Sequence, residues 1–160
     1  MDLSIIIVNY NTREFLRSCL RSIGGNPPAL RYEIVVVDND SHDGSAAMLQ
    51  KEYPQVRLVR NNRNLGFSKA SNRGASVSSG DCLLFLNSDT EVKRDSLSRL
   101  VQFVHSRKNI GVVGPKIIDP AGQPTRSYMR FLEPQMLFLG SHRFEKLVEV
   151  QRHRMHYDSY

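Results

Sequence analysis

The sequence has no tryptophan, only two cysteines and no long apolar run. A membrane-spanning helix needs about 20 consecutive apolar residues, and no segment reaches that length. Cys19 and Cys82 are too few and too isolated for a disulfide framework or a metal site, which indicates a reducing compartment. The first residues lack the basic start and small-residue cleavage site of a secretory signal, so we expect a cytoplasmic protein.

Several ligand-binding motifs are also missing. The first predicted strand leads into NYNTRE rather than the glycine-rich turn of a dinucleotide fold, and no GxxxxGK[ST] segment indicates a P-loop. Neither an RNA-binding aromatic motif nor zinc-finger spacing occurs, so we expect no nucleic-acid partner. The net charge of +6 is spread over both halves of the chain. Diffuse positive charge suits an anionic small molecule or an anionic membrane surface.

Apolar patterning predicts strands that alternate with helices. Continuous β-branched runs are typical of buried strands, predicted at residues 3–10, 32–38, 56–60, 81–87 and 110–118. Apolar stripes at helical spacing lie between them. Asn11 and Glu14 resemble a capping box for the first helix, and Asp43 resembles the cap of the second. The alternation indicates an α/β fold with a mostly parallel sheet and helices on both faces.

The chain divides by composition into two parts. We assign residues 1–125 to the core and residues 126–160 to an irregular or helical tail. Within the tail, residues 135–156 are predicted to form a basic amphipathic helix. Such a helix would dock on the missing acceptor-side part of the protein or give peripheral contact with the inner face of the membrane, and packing on the domain's own core is the alternative.

Polar residues follow three of the predicted strands. Parallel sheets bind ligands beyond the carboxyl ends of their strands, so these residues predict the walls of a cleft. The alternative for each is a turn or a helix cap. The three groups are Asn9, Tyr10 and Asn11; Asp38, Asn39 and Asp40; and Asn87, Ser88 and Asp89.

The residue types in these walls suit a nucleotide and a cation. Asn39 can donate and accept together, which matches the edge of a pyrimidine, although a left-handed turn residue is the alternative. Tyr10 could stack on a base or pack against the first helix. Asp89 offers the hard oxygen ligand that divalent ions take. Lys69 and Arg73 lie four apart on a predicted helix, where they could approach a diphosphate or remain solvated.

Five segments carry a family resemblance that covers about residues 3–125. In chain order they are SIIIVNYNTREFLRSCLRSI, EIVVVDNDSHDGS, RNNRNLGFSKASNRG, LLFLNSDTEV and VGPKIIDPAGQ. In this order they resemble a family 2 glycosyltransferase with the GT-A fold. The variants VDN, NLGFxxAxNxG and LNxD are most similar to its rhamnosyltransferase-like branch, which builds bacterial cell-surface polysaccharide.

The resemblance implies roles for the polar residues around a UDP- or dTDP-sugar donor. Asp89 would be the ligand of a divalent metal, Mg²⁺ or Mn²⁺, at the end of the family's DXD motif. Asn, rather than Asp, at the first position of that motif should weaken metal affinity. The implied nucleotide-binding residues are Val8, Tyr10, Asp38 and Asn39 at the base, Asn64, Gly66 and Asn72 near the ribose and diphosphate, and Asn87 and Ser88 in the DXD segment.

The implied reaction is an inverting transfer to a saccharide or lipid-linked acceptor. The family's catalytic base follows a later strand, and no such acidic segment occurs before Tyr160. We therefore expect a donor-binding part that lacks the C-terminal part of the fold, as a truncated chain or a naturally short protein. The alternatives are a non-catalytic nucleotide-sugar-binding module and a basic interaction or nucleic-acid-binding protein.

Overall fold

The computed structural model describes residues 1–125. It divides into a unit spanning Met1–Gly114 and a second unit that begins at Pro115. All of the helices and named strands of residues 1–125 lie in the first unit, where strands and helices alternate strictly. They are β1 (Leu3–Asn9), α1 (Arg13–Gly25), β2 (Tyr32–Asp38), α2 (Ser45–Glu52), β3 (Arg57–Arg60), α3 (Phe67–Ser76), β4 (Cys82–Asn87) and α4 (Ser96–His105).

The strands form a parallel sheet in the order β3-β2-β1-β4. The chain first builds outward from β1 through β2 to β3. It then returns to add β4 on the other side of β1, so the direction of strand addition reverses between β1 and β4. A reversal of this kind opens a crevice at the carboxyl ends of the two strands.

Helices cover both faces of the sheet, as predicted. On one face, Ile5, Ile7 and Val36 pack with buried residues of α1, α2 and α4. On the other face, Val35 and Val37 pack with Ala70 of α3. Each fully buried aliphatic side chain stabilises the fold by about 1.5–3 kcal/mol, which accounts for the continuous apolar strands.

The two predicted helix caps are wrong. Thr12, not Asn11, is the N-cap of α1 and makes no side-chain cap hydrogen bond. Asn11 instead adopts φ 54°. Gly44 (φ 84°) is the N-cap of α2. Asp43 accepts hydrogen bonds from the backbone N–H of Ser45 (3.0 Å) and of Arg13 (2.7 Å), so it serves the first turns of both helices.

The predicted fifth strand at residues 110–118 is also wrong, because the structure has no strand there. Pro115 lacks the N–H that a sheet ladder needs, and Gly111 and Gly114 weaken the flanking segment. In the second unit, Ile118 instead pairs with Pro124 in an antiparallel bridge around a turn at Gly122. The predicted amphipathic helix at 135–156 lies outside the described residues. Within residues 1–125, no helix has the length and apolar character needed to cross a bilayer.

Candidate functional site

A cavity of about 300 Å³ opens at the crevice between β1 and β4. Side chains from both strands, from the turn after β4 and from the starts of α1 and α3 line it. Asp89 is the only charged residue among them. The lining residues are Val8, Thr12, Phe15, Phe67, Asn87, Ser88 and Asp89. A larger cavity, of about 690 Å³, lies near the end of α1 and the start of β2 and contains none of the predicted site residues.

A hydrogen-bonded network joins the ends of three strands beneath this cavity. Asn9, fully buried at the end of β1, donates through Nδ2 to Asp38 Oδ1 (3.2 Å) and Ser41 Oγ (2.9 Å). Thr12 Oγ1 donates to Asn9 Oδ1 (2.7 Å) and lies 2.9 Å from Ser88 Oγ. The single hydroxyl proton of Thr12 is therefore used, so Ser88 must donate to Thr12. The remaining lone pairs of Ser88 Oγ are then acceptors beside Asp89.

The donor set around Asp89 fits a hard cation that is shared with a ligand. Asp89 is an exposed carboxylate and Ser88 adds an acceptor oxygen, but no group of three or more His, Cys, Asp or Glu occurs among the described residues. Mg²⁺ commonly uses one or two carboxylates together with substrate phosphates and waters. Burial, with the negative charges of Asp89 and Glu91, raises the pKa of the Cys19 thiol to about 12, so no thiolate competes nearby.

The second predicted wall is a buried amide cluster at the end of β2. Asn39 is 2% exposed. Its Oδ1 accepts from Asn61 Nδ2 (2.9 Å) and the backbone N–H of Leu65 (3.0 Å), and its Nδ2 donates to Asn64 Oδ1 (2.7 Å). Both acceptor positions of Asn39 are occupied by the protein, so only an N–H donor remains. In this arrangement Asn39 cannot offer the paired donor and acceptor predicted for a pyrimidine edge.

The structure groups the predicted site residues in two places. Val8, Asn87, Ser88 and Asp89 share the cavity. Asp38 joins the Asn9 network, whereas Asn39, Asn64 and Gly66 belong to the amide cluster, in which the Gly66 N–H donates to Asn64 Oδ1 over 2.9 Å. Tyr10 is 46% exposed and Asn72 is exposed on α3, and within residues 1–125 neither makes a hydrogen bond to these groups.

The sequence analysis did not identify four residues of the site. Phe15 and Phe67, 61% and 56% exposed, line the cavity with Asp89. The sequence feature that could have identified both residues is an aromatic side chain that lies outside the apolar stripe of its helix. Thr12 and Asn61 carried no comparable signal, because their roles depend on which strand ends become neighbours.

These features, a parallel sheet with helices on both faces and a carboxylate-bearing crevice at its switch point, define a doubly wound α/β protein. The chain belongs to Glycosyl transferase family 2, whose sequence profile matches residues 4–155. The sheet and its flanking helices are those of the GT-A fold, as predicted.

Relatives of known description support the family. The chain is 33% identical over 115 residues to a dolichol-phosphate mannosyltransferase of Pyrococcus furiosus, covering 70% of this chain and 32% of the relative. It is 37% identical over 103 residues to human polypeptide N-acetylgalactosaminyltransferase 14, covering 63% of this chain and 19% of the relative. The chain thus spans about a third or less of the length of these two relatives.

Solved structures support the fold. Residues 1–349 of S. aureus TarS in complex with UDP superpose with a TM-score of 0.61 at 22% identity, covering 72% of this chain and 39% of that TarS chain. The same protein in complex with UDP-GlcNAc gives a TM-score of 0.60.

Proposed function

We propose that this chain is the donor-binding part of an inverting glycosyltransferase that uses a UDP- or dTDP-sugar. The observation that carries the proposal is the cavity at the switch point, where Asp89 lies beside the acceptor oxygen of Ser88. Its relatives are sugar transferases, and the TarS structures contain UDP or UDP-GlcNAc. Rhamnose as the sugar, and bacterial surface polysaccharide as the product, rest on the sequence resemblance.

Different residues of the site would bind different parts of the sugar-nucleotide donor. Asp89, beside the acceptor oxygen of Ser88, would hold Mg²⁺ or Mn²⁺ against the diphosphate. The metal would neutralise the negative charge that increases on the diphosphate as it leaves. Asn87 and Ser88 would contact the nucleotide. Tyr10, Val8, Asp38 and Asn39 would surround the base. Asn64, expected from the sequence near the ribose and diphosphate, is hydrogen-bonded to Asn39, and we therefore place it at the base as well. Gly66 and Asn72 would lie near the ribose and diphosphate.

The proposal also covers the catalytic base and the acceptor of the sugar. Inverting transfer needs a carboxylate that removes a proton from the acceptor hydroxyl as it attacks the sugar. We assign no described residue to that role and propose that the base lies beyond Tyr160. The acceptor is a saccharide or a lipid-linked saccharide, reached in the cytoplasm or at the inner face of the membrane through 135–156.

A nucleotide panel tests the donor-binding role. Thermal unfolding of residues 1–160 is measured with UDP, dTDP, ADP and GDP, each with and without Mn²⁺. A ligand at 100 times its Kd stabilises the folded state by about 2.7 kcal/mol. UDP or dTDP with Mn²⁺ should raise Tm more than the purine nucleotides do. Equal shifts with all four nucleotides, or none, would contradict the proposal.

A further inference from the structure

A continuous hydrogen-bonded chain links α3 to the end of β2. The guanidinium of Arg73 donates to Asn61 Oδ1. Asn61 Nδ2 donates to Asn39 Oδ1 over 2.9 Å, and Asn39 Nδ2 donates to Asn64 Oδ1 over 2.7 Å. We call these four residues the Arg73 relay. Arg73 therefore binds a protein amide rather than standing free for the diphosphate.

Arg73 fixes the orientation of Asn61, and the other bonds of the relay run in the same direction. A guanidinium has only donors, so the oxygen of Asn61 must face Arg73 and its NH₂ must face Asn39. Asn39 then has to present its oxygen to Asn61 and its NH₂ to Asn64. Two backbone donors agree with this polarity: the N–H of Leu65 donates to Asn39 Oδ1 (3.0 Å), and the N–H of Gly66 donates to Asn64 Oδ1 (2.9 Å).

The two central amides of the relay, those of Asn61 and Asn39, are buried, so reversing either amide would be costly. Asn61 is 6% exposed and Asn39 is 2% exposed, so neither can exchange its partners for water. Reversing an amide would set NH₂ against NH₂ or oxygen against oxygen, and each unpaired buried group carries a desolvation penalty. At the outer end, Asn64 is exposed, and its oxygen accepts from both Asn39 and Gly66, so its NH₂ is the group that remains for a ligand.

We propose that Arg73 is a positioning residue for nucleoside recognition. Through the Arg73 relay it holds Asn39 and Asn64 so that a ligand meets amide N–H donors, which suit an acceptor such as a pyrimidine carbonyl oxygen. Arg73 itself does not touch the ligand. This inference rests on the proposed function, because it takes the amide cluster as the base-binding wall.

A ligand series separates this role from direct phosphate binding. The affinities of uridine and UDP for residues 1–160 are measured by NMR competition, which reaches millimolar affinities, in the wild type and in Arg73→Met. The variant should weaken both ligands by the same factor, roughly three- to tenfold for one lost hydrogen bond. Arg73→Lys, which keeps a cationic donor for Asn61, should restore most of the affinity. Arg99→Met, the same loss of charge on the exposed side of α4, should change neither ligand.

A second variant tests the relay without removing the cation. Asn61→Asp keeps the acceptor for Arg73 and removes the donor to Asn39, so it should weaken uridine and UDP equally while thermal unfolding remains cooperative. Weakening of UDP alone in Arg73→Met would place Arg73 on the phosphates and overturn the inference. Unchanged affinities in both variants would also overturn it. A wild type that binds neither UDP nor dTDP would overturn the proposed function as well.

Discussion

Thr12 has one hydroxyl proton, and the use of that proton determines the chemistry of Ser88. Because Thr12 donates to Asn9 Oδ1 over 2.7 Å, its contact with Ser88 must run the other way, with Ser88 as donor. Asn9 in turn has both N–H groups committed to Asp38 and Ser41. Ser88, which lines the cavity, therefore has only acceptor lone pairs left on its Oγ, like the carboxylate of Asp89. Oxygen acceptors next to each other favour a cation or a ligand rich in donors.

Replacing Thr12 should show whether this network matters. Thr12→Val keeps the shape of the side chain but leaves Asn9 Oδ1 without its donor, so we expect a loss of about 1–2 kcal/mol in the free energy of unfolding. Thr12→Ser keeps the hydroxyl and should lose much less. Urea denaturation of both variants measures the difference. Equal stability of the valine and serine variants would show that the network contributes nothing to folding.

At the scale of elements, the sequence predicted the strands better than the segments around them. β1 and β2 were evident because a strand covered on both sides needs apolar residues at every position, and these segments supply them. β4 is also continuously apolar, although Leu83 and Phe85 on one of its faces are exposed within the described residues. The segment 110–118 has similar apolar content, yet glycines and Pro115 interrupt it, and it does not form a strand. Apolar content alone did not separate the two cases.

The N-caps of α1 and α2 were predicted wrongly for a different reason. Asp43 was predicted to cap α2, but its carboxylate is shared between the backbone of Ser45 and that of Arg13, which is distant in sequence. Burial raises the pKa of Asp43, but the hydrogen bonds from Ser45 and Arg13 outweigh burial and leave the pKa below its usual value, so the group is ionised at neutral pH. Local sequence could not reveal a partner that tertiary structure supplies.

The sequence likewise predicted some residues of the candidate site and not others. Polar residues at strand ends, such as Asp38 and Asp89, could be placed because parallel strands end at one edge. Phe15 and Phe67 could not, because the reversal of strand order between β1 and β4 brings α1 and α3 to the same cavity. The sequence does not state that order.

The packing of α3 on the sheet gives a prediction at this scale. A Cβ on Gly74 would lie 2.6 Å from Ile6 Cγ2 and 3.0 Å from Val37 Cγ2, so α3 would have to move away from the strands. Gly74→Ala should therefore lower the free energy of unfolding by about 1–3 kcal/mol. Gly24→Ala, in α1 with no atom within 4 Å of the new Cβ, should instead raise it by up to about 1 kcal/mol. Thermal and urea unfolding compare them, and a neutral Gly74→Ala would contradict the close packing.

At the scale of the whole molecule, charge determines how the donor can bind. The protein carries a net charge of +6, which favours the approach of an anionic nucleotide. The cavity itself is different, because Asp89 is its only charged lining residue. A diphosphate placed there meets a carboxylate, and the two anions repel each other unless a cation lies between them.

Metal and nucleotide should therefore bind as a linked pair. Linkage requires that Mn²⁺ strengthen UDP binding by the same factor by which UDP strengthens Mn²⁺ binding, and a coupling of 1–3 kcal/mol corresponds to about 5–150-fold. Asp89→Asn, which removes the charge and keeps the shape, should abolish the coupling while UDP still binds weakly without metal. Asp95→Asn, an exposed carboxylate at the start of α4, should leave the coupling intact. Isothermal titration of UDP at several Mn²⁺ concentrations measures it. A wild type whose UDP affinity does not change with Mn²⁺ would remove Asp89 from the metal site.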